Sequence, residues 1–174
     1  ARRLELERTA AEARLRHMAD HDALTGLFNR RRFEEELDRH IAHGRRYGMG
    51  GGLLLLDLDD FKRINDNFGH RAGDRALTAV AVVLQHRLRE SDIVARFGGD
   101  EFAVLMPVGR APEATDLARL LGDAVGDDVD TPAGPLSASV GIAMFGDLTT
   151  ADEMLSRADA AMYAEKRADG PAVR

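Results

Sequence analysis

The chain is 174 residues long, 44% hydrophobic and 31% charged, which suits one globular domain with its own core. It has no Cys, excluding disulfides and thiolate metal sites, and no Trp with few other aromatics, so the core must be aliphatic and Ala-rich. The net charge of −6 argues against a general nucleic-acid binder, and no apolar run approaches the length of a membrane span.

The opening stretch "ARRLELERTAAEARLRHMAD" is rich in Ala, Leu, Glu and Arg and predicts a helix over 1–20. Leu4, Ala11, Leu15 and Met18 form a thin apolar seam. The seam fits a solvated helix packed on the domain, and equally the end of a coiled-coil linker. The first residue is Ala rather than Met, so the chain is expected to be a piece of a longer protein, and an upstream membrane segment is compatible with it. No secretory signal is visible. The remainder, 21–174, reads as the functional domain.

"LTGLFNRRRFEEELDRHIAHG" carries a turn at Thr25–Gly26 and then a second helix. "GGLLLLDLDDF" is an apolar run ending in acids, as expected of a buried central strand whose end faces a site. "GHRAGDRALTAVAVVLQHRLR" predicts a helix with Leu77, Val80, Leu84 and Leu88 on one face. "DIVARF" and "FAVLMP" flank Gly98–Glu101 and read as a β-hairpin. An amphipathic helix ("APEATDLARLLGDAVG"), a strand ("PLSASVGIAMF") and a last helix ("TADEMLSRADAAMYAEKRAD") complete the chain. Strands and helices alternating around an antiparallel hairpin predict an α+β domain: one sheet covered by helices, of the split βαβ type.

The acids carry the chemistry. Asp57 and Asp59 are two apart, which on a strand places them on one face. A lone pair of this kind most often caps a turn. A second pair, Asp100 and Glu101, sits on a glycine turn and weakens that reading. Carboxylates brought together repel, so the arrangement calls for a cation or raised pKa values. Oxygen-only ligands suit Mg²⁺ or Mn²⁺, which keep room for water and substrate phosphates. Gly98 and Gly99 satisfy a hairpin that needs positive φ, and also leave backbone free to approach a phosphate.

These blocks resemble the GGDEF domain (diguanylate cyclase) family. The signature stands intact at Gly98, Gly99, Asp100, Glu101 and Phe102. "DALTGLFNRRRF", "DLDDFKRINDNFGHRAGDRAL", "RESDIVARFGGDEF", "SVGIA" and "ADAAMY" match the family pattern in order, from about Asp22 to Lys166. The resemblance implies a mostly antiparallel central sheet in a ferredoxin-like, nucleotidyl-cyclase palm, with an N-terminal linker helix. It implies condensation of two GTP into cyclic di-GMP with loss of pyrophosphate, each subunit of a homodimer presenting one GTP. The 3′-hydroxyl of one GTP would attack the α-phosphate of the other. Asp57, Asp100, Glu101 and the Leu58 carbonyl would hold Mg²⁺ or Mn²⁺, two ions per site, and a signature carboxylate would help deprotonate the 3′-hydroxyl. Phe61, Lys62, Gly98, Gly99 and Lys166 would lie against the phosphates.

Asn65 and Asp74 match the family's guanine-binding positions. A carboxylate accepts from guanine N1–H and the 2-amino group, neither of which adenine offers. Read without the resemblance, the same two residues cap the helix that starts near His70. "RESD", Arg89 to Asp92, looks like the family's RxxD inhibitory site for product. Its plainer reading is a surface ion pair.

One block departs from the pattern. Where the family has an Arg four residues after the phosphate-binding Lys, this chain has Gly170, and weaker GTP affinity, or a substitute from Arg167 or Arg174, is expected. The resemblance also implies an upstream sensor domain and a cytoplasmic site of action, with the full-length protein free to be membrane-tethered. The alternative to a cyclase is a non-catalytic domain that binds cyclic di-GMP or GTP and regulates a neighbour. That alternative is disfavoured because such relatives lose signature acids and this chain keeps them.

Overall fold

A computed structural model describes residues 2, 5, 8, 9, 17–48, 50–146 and 150–168. Most of the N-terminal seam (Leu4, Ala11 and Leu15) and the departure at Gly170 lie outside the described residues.

The chain runs β1 (Phe28–Asn29), α1 (Arg30–Tyr47), β2 (Gly52–Leu58), α2 (Phe61–Phe68), α3 (His70–Arg87), β3 (Ile93–Gly98), β4 (Glu101–Met106), α4 (Ala111–Asp128), β5 (Asp130–Thr131), β6 (Gly134–Pro135), β7 (Ala138–Met144) and α5 (Ala151–Ala168). Five strands form one sheet in the order β1-β3-β4-β2-β7. Only β1 pairs in parallel, with β3; the other three ladders are antiparallel. The expected α+β class and mostly antiparallel sheet are therefore observed.

β2 is central because its sequence tolerates burial on both sides. Leu53 and Leu55 face one layer and Leu54, Leu56 and Leu58 the other, all 8% exposed or less. The first layer is built from α1 and α5. Phe33, Leu37 and Ile41 recur every four residues on α1, as do Met154, Ala158 and Met162 on α5, and each stripe meets the sheet. The second layer is α3 and α4, contributing Leu77, Val80, Leu84, Leu121 and Val125. The layers share a sheet of small and aliphatic residues, as a chain without Trp requires.

Local sequence fixes the helix ends. Asn29 caps α1, its side chain accepting from the Arg32 amide at 3.0 Å. Thr150 and Glu153 form a capping box before α5, with reciprocal bonds of 3.2 and 3.0 Å. α5 seats unusually close to β7: a methyl group at Gly141 would lie 2.0 Å from the Ala158 carbonyl oxygen. That close approach aims the C-terminal turn of α5 at the end of β2.

Four short elements were not foreseen. α2 is an eight-residue helix inside the block after β2. β1 and the small β5–β6 ladder span two residues per strand. α3 ends at Arg87, so Leu88 packs from the cap rather than from the helix face.

Candidate active site

The end of β2 lies beside the β3–β4 turn. Asp57 is in register with Glu101 on β4 and with Ser139 on β7. Alternation along both strands puts Asp57 and Glu101 on the α1/α5 face, in line with Leu55 and Ala103. The Leu58 amide donates to the Asp100 carbonyl at 3.2 Å, which docks the turn onto the strand end. Gly98 and Gly99 hold φ of 131° and 54°, values open to glycine and costly for other residues. A shift in the β3–β4 register between Arg96 and Gly98 throws Phe97 outward as a bulge. Phe97 then packs edge-on against Phe33, with centroids 5.3 Å apart.

The carboxylates interact as the sequence predicts. Burial, then the neighbouring Asp57, pushes Asp100 above the ordinary carboxylate range. Glu101 is pushed up by burial, then by Asp57, Asp100 and Asp159 on α5, with Arg30 pulling the other way. Lys166, at the end of α5, donates to Asp57 Oδ1. Burial lowers the Lys166 pKa, but Asp57, Asp59 and Asp100 together raise it.

The donor chemistry here fits a hard cation. No three His, Cys, Asp or Glu side chains among the described residues converge as a ready-made cage. Mg²⁺ is satisfied by one or two carboxylates plus water and phosphate oxygens, and destabilised neighbouring carboxylates supply such a set.

Asp59 departs from expectation. β2 ends at Leu58, so Asp59 lies one residue past the strand, and its carboxylate is already engaged at the start of β7. It accepts from Ser137 Oγ at 2.9 Å and from Ser139 Oγ at 2.8 Å.

Asn65 and Asp74 do not cap α3. The cap position is Gly69, and no side-chain bond is made there. Asn65 lies on α2 and Asp74 in the second turn of α3, and the two helices meet closely where Asn65 packs on Gly73, the residue before Asp74. A methyl group at Gly73 would sit 2.0 Å from Asn65 Oδ1 and 3.0 Å from Phe61 Cζ. Beside Asp74 opens a hollow of ≈ 490 Å³ that Leu24, Thr78 and Val82 also line. Phe61 is buried at the start of α2, while Lys62 is exposed next to it.

Arg89 and Asp92 stand at the opposite end of β3 from the glycine turn, about 20 Å along the strand. The Arg89 amide donates to Asp92 Oδ2 at 2.9 Å, so the aspartate orders its own loop. Both residues border a hollow of ≈ 270 Å³ shared with Arg87 and Leu120. Their guanidinium and carboxylate form no ion pair with each other.

The sequence reading passed over Arg96. Its guanidinium donates to the Gly99 carbonyl at 2.8 and 3.1 Å and meets Asp22 at 3.2 Å. Asp22 also accepts from the Thr25 hydroxyl and amide at 2.7 and 2.9 Å. Burial pushes the Asp22 pKa up, but the bonds from Thr25 and Arg96 together hold it below the usual carboxylate range. A cation two residues ahead of a glycine pair was the available signal.

Comparison with known proteins agrees with this geometry. The family model described as diguanylate cyclase, GGDEF domain, matches residues 19–171. Diguanylate cyclase DgcP of Pseudomonas aeruginosa is 44% identical over 152 residues, covering 84% of this chain and 22% of that protein. Cyclic di-GMP phosphodiesterase NbdA of the same organism is 40% identical over 159 residues, covering 90% of this chain and 20% of that one. The chain thus spans about a fifth of the length of these two curated relatives. The crystal structure of the coiled coil and GGDEF domain of DgcB from Caulobacter crescentus, in complex with c-di-GMP, superposes with a TM-score of 0.88 at 32% identity. That match covers 95% of this chain and 91% of the other.

Proposed function

The chain belongs to the GGDEF domain family, and from that membership we propose that it condenses two molecules of GTP into cyclic di-GMP, releasing pyrophosphate. The observation that carries the reading is the pairing of Asp57 with Glu101 beside the glycine turn, with Asp100 close enough for its charge to feel Asp57 and Lys166 bonded to Asp57.

Asp57, Asp100, Glu101 and the Leu58 carbonyl would hold Mg²⁺ or Mn²⁺, two ions per site. When bound, the metal would neutralise phosphate charge and activate the attacking oxygen. The protein's own groups do the rest. Gly98 and Gly99 leave room for the triphosphate against the turn. Lys166 and Lys62 offer ammonium groups to its oxygens, and the backbone at Phe61 offers amide donors. Asn65 and Asp74 read the guanine edge, with Asp74 accepting from N1–H and the 2-amino group. In each of two steps a 3′-hydroxyl oxygen bonds to an α-phosphorus of the other nucleotide. The bond to pyrophosphate breaks, and a signature carboxylate receives the hydroxyl proton. One subunit presents one nucleotide, so catalysis requires a homodimer. Arg89 and Asp92 would bind the product and lower activity.

GTP locates the reaction in the cytoplasm, and no helix among the described residues is long and apolar enough to cross a membrane. An upstream sensor is the natural source of control. The test is incubation with GTP and Mg²⁺ at high protein concentration, with product read by chromatography beside an Asp100→Ala control. Product that vanishes in the control is expected. A second reading, a GTP- or cyclic di-GMP-binding regulator, draws support from the relative named as a phosphodiesterase. It predicts nucleotide binding without product.

A further inference from the structure

We propose that Asp59 is a positioning residue for the triphosphate: gripped by Ser137 and Ser139, it fixes the turn that carries the first amides of α2 toward the site. The inference rests on the nucleotide reading above.

The turn after β2 is tied to β7 through Asp59. The Asp59 amide donates to the Ser137 carbonyl at 2.9 Å, extending the β2–β7 ladder by one step past the strand end. The Asp59 carboxylate then accepts from Ser137 Oγ at 2.9 Å and Ser139 Oγ at 2.8 Å, one hydroxyl on each oxygen. Ser139 is 2% exposed and is the one buried polar or charged residue among those described. A buried hydroxyl must find a partner, so this bond is structurally enforced. Both oxygens of Asp59 are thus engaged at the start of β7.

Asp60, the next residue, depends on such an anchor. It has φ 53° and ψ 19°, the one non-glycine residue with positive φ among those described. Left-handed backbone at a residue with a Cβ persists only when its surroundings impose it. Packing does not impose it here: a hollow of ≈ 110 Å³, lined by Asp59, Asp60, Arg63 and Ser137, lies at the turn. Asp60 makes no side-chain cap to α2, and its carboxylate meets Arg63 Nη1 instead, at 3.3 Å. The Arg63 amide donates to the Asp60 carbonyl at 2.8 Å, and the Phe61 and Lys62 amides ahead of it are left without a side-chain cap, as an anion-binding helix start requires. Their placement depends on the three bonds from Asp59 to Ser137 and Ser139.

The test separates phosphate recognition from base recognition. Two probes that cannot turn over are titrated by calorimetry with Mg²⁺: 3′-deoxyguanosine triphosphate and 3′-deoxyguanosine. Ser137→Ala with Ser139→Ala should weaken the triphosphate about tenfold, the loss of one charge-assisted bond's worth of positioning, and leave the nucleoside unchanged. Ser137→Ala alone, at an exposed position where folding is not at stake, should show part of the loss. Ser137→Thr, which keeps the hydroxyl, should restore wild-type affinity. Equal weakening of both probes, or none of either, overturns the inference while leaving the nucleotide reading intact. A wild-type chain that ignores both probes overturns the two together.

Discussion

Lys166 and Asp57, 109 residues apart in sequence, share a charge-assisted hydrogen bond that ties the end of α5 to the end of β2. The contact exists because α5 lies tight on Gly141 and so delivers its last turn to the sheet edge of the site. A triphosphate arriving there competes with Asp57 for the ammonium. Lys166→Met should therefore raise KM for GTP about tenfold and lower kcat less, as read from steady-state product formation. A kcat that collapses with KM unchanged would place Lys166 in the chemical step instead.

Asp100 and Glu101 are expected to cost stability while the site holds no cation. Their folded pKa values lie above the ordinary 3.8 and 4.5, so the folded state binds their protons more tightly than the unfolded chain. The penalty is absent below the ordinary values and present in full above the raised ones. Asp100→Asn should consequently raise Tm by ~2 °C at neutral pH without metal, abolish product formation, and lose its stability advantage as the pH falls into that window. Thermal melts across pH check the sign; an advantage that grows in acid would contradict it.

Much of this site was legible because its signals are local. The run Leu53–Leu56 can only be a strand buried on both faces, and Gly98–Gly99 between two apolar runs can only be a turn. α2 was not legible: of its eight residues only Phe61 and Ile64 are buried, too few to show a helical period. Missing α2 also misplaced Asn65, which looked like a cap for α3 and is in fact held against Gly73 by helix packing. The bonds that hold Asp59 on Ser137 and Ser139 were not legible either, since strand alternation says nothing of a residue one step past the strand end. The pairs Lys166–Asp57 and Arg96–Asp22 leave no local trace, because each joins residues that only the tertiary fold makes neighbours.

Asp74 is expected to set the choice of base. Its carboxylate is exposed on α3 beside the Leu24–Val82 hollow, free to accept two guanine donors. Asp74→Asn replaces one acceptor oxygen with a donor, mismatched to guanine N1–H or the 2-amino group. The ratio of kcat/KM for GTP over ATP should fall at least tenfold, chiefly by loss of GTP use. Unchanged discrimination would remove Asp74 from base recognition.

Arg89→Ala should relieve inhibition by added cyclic di-GMP while preserving the initial rate at low product. The position lies about six strand residues from the glycine turn, so the active site keeps its contacts. A guanidinium stacked on or paired with the product contributes on the order of 1.5–3 kcal/mol, so the inhibitory concentration should rise about tenfold or more. An initial rate that falls in step with inhibition would show that Arg89 supports the fold rather than a second site.

The catalytic turn is also tied to the segment that enters the domain. Arg96 grips the Gly99 carbonyl with two nitrogens and turns a third toward Asp22, whose other bonds hold the Thr25 turn. The pair is largely buried, with side chains 13% and 22% exposed, so it is screened little by solvent. Asp22→Asn keeps the shape and removes the charge. Arg96 is then held less firmly, and the glycine turn it grips gains freedom in the place where the nucleotide must be aligned. kcat should drop about tenfold with KM for GTP changed less. Stability carries an independent signature. Because the folded pKa of Asp22 is depressed below 3.8, its contribution is present above the ordinary value and disappears as the pH falls through the depressed one. The wild type should therefore melt higher than Asp22→Asn at neutral pH, and the two melting curves should converge in strong acid. A gap that persists at every pH would mean that Asp22 acts through packing, and that the entry segment and the glycine turn are not coupled by this charge.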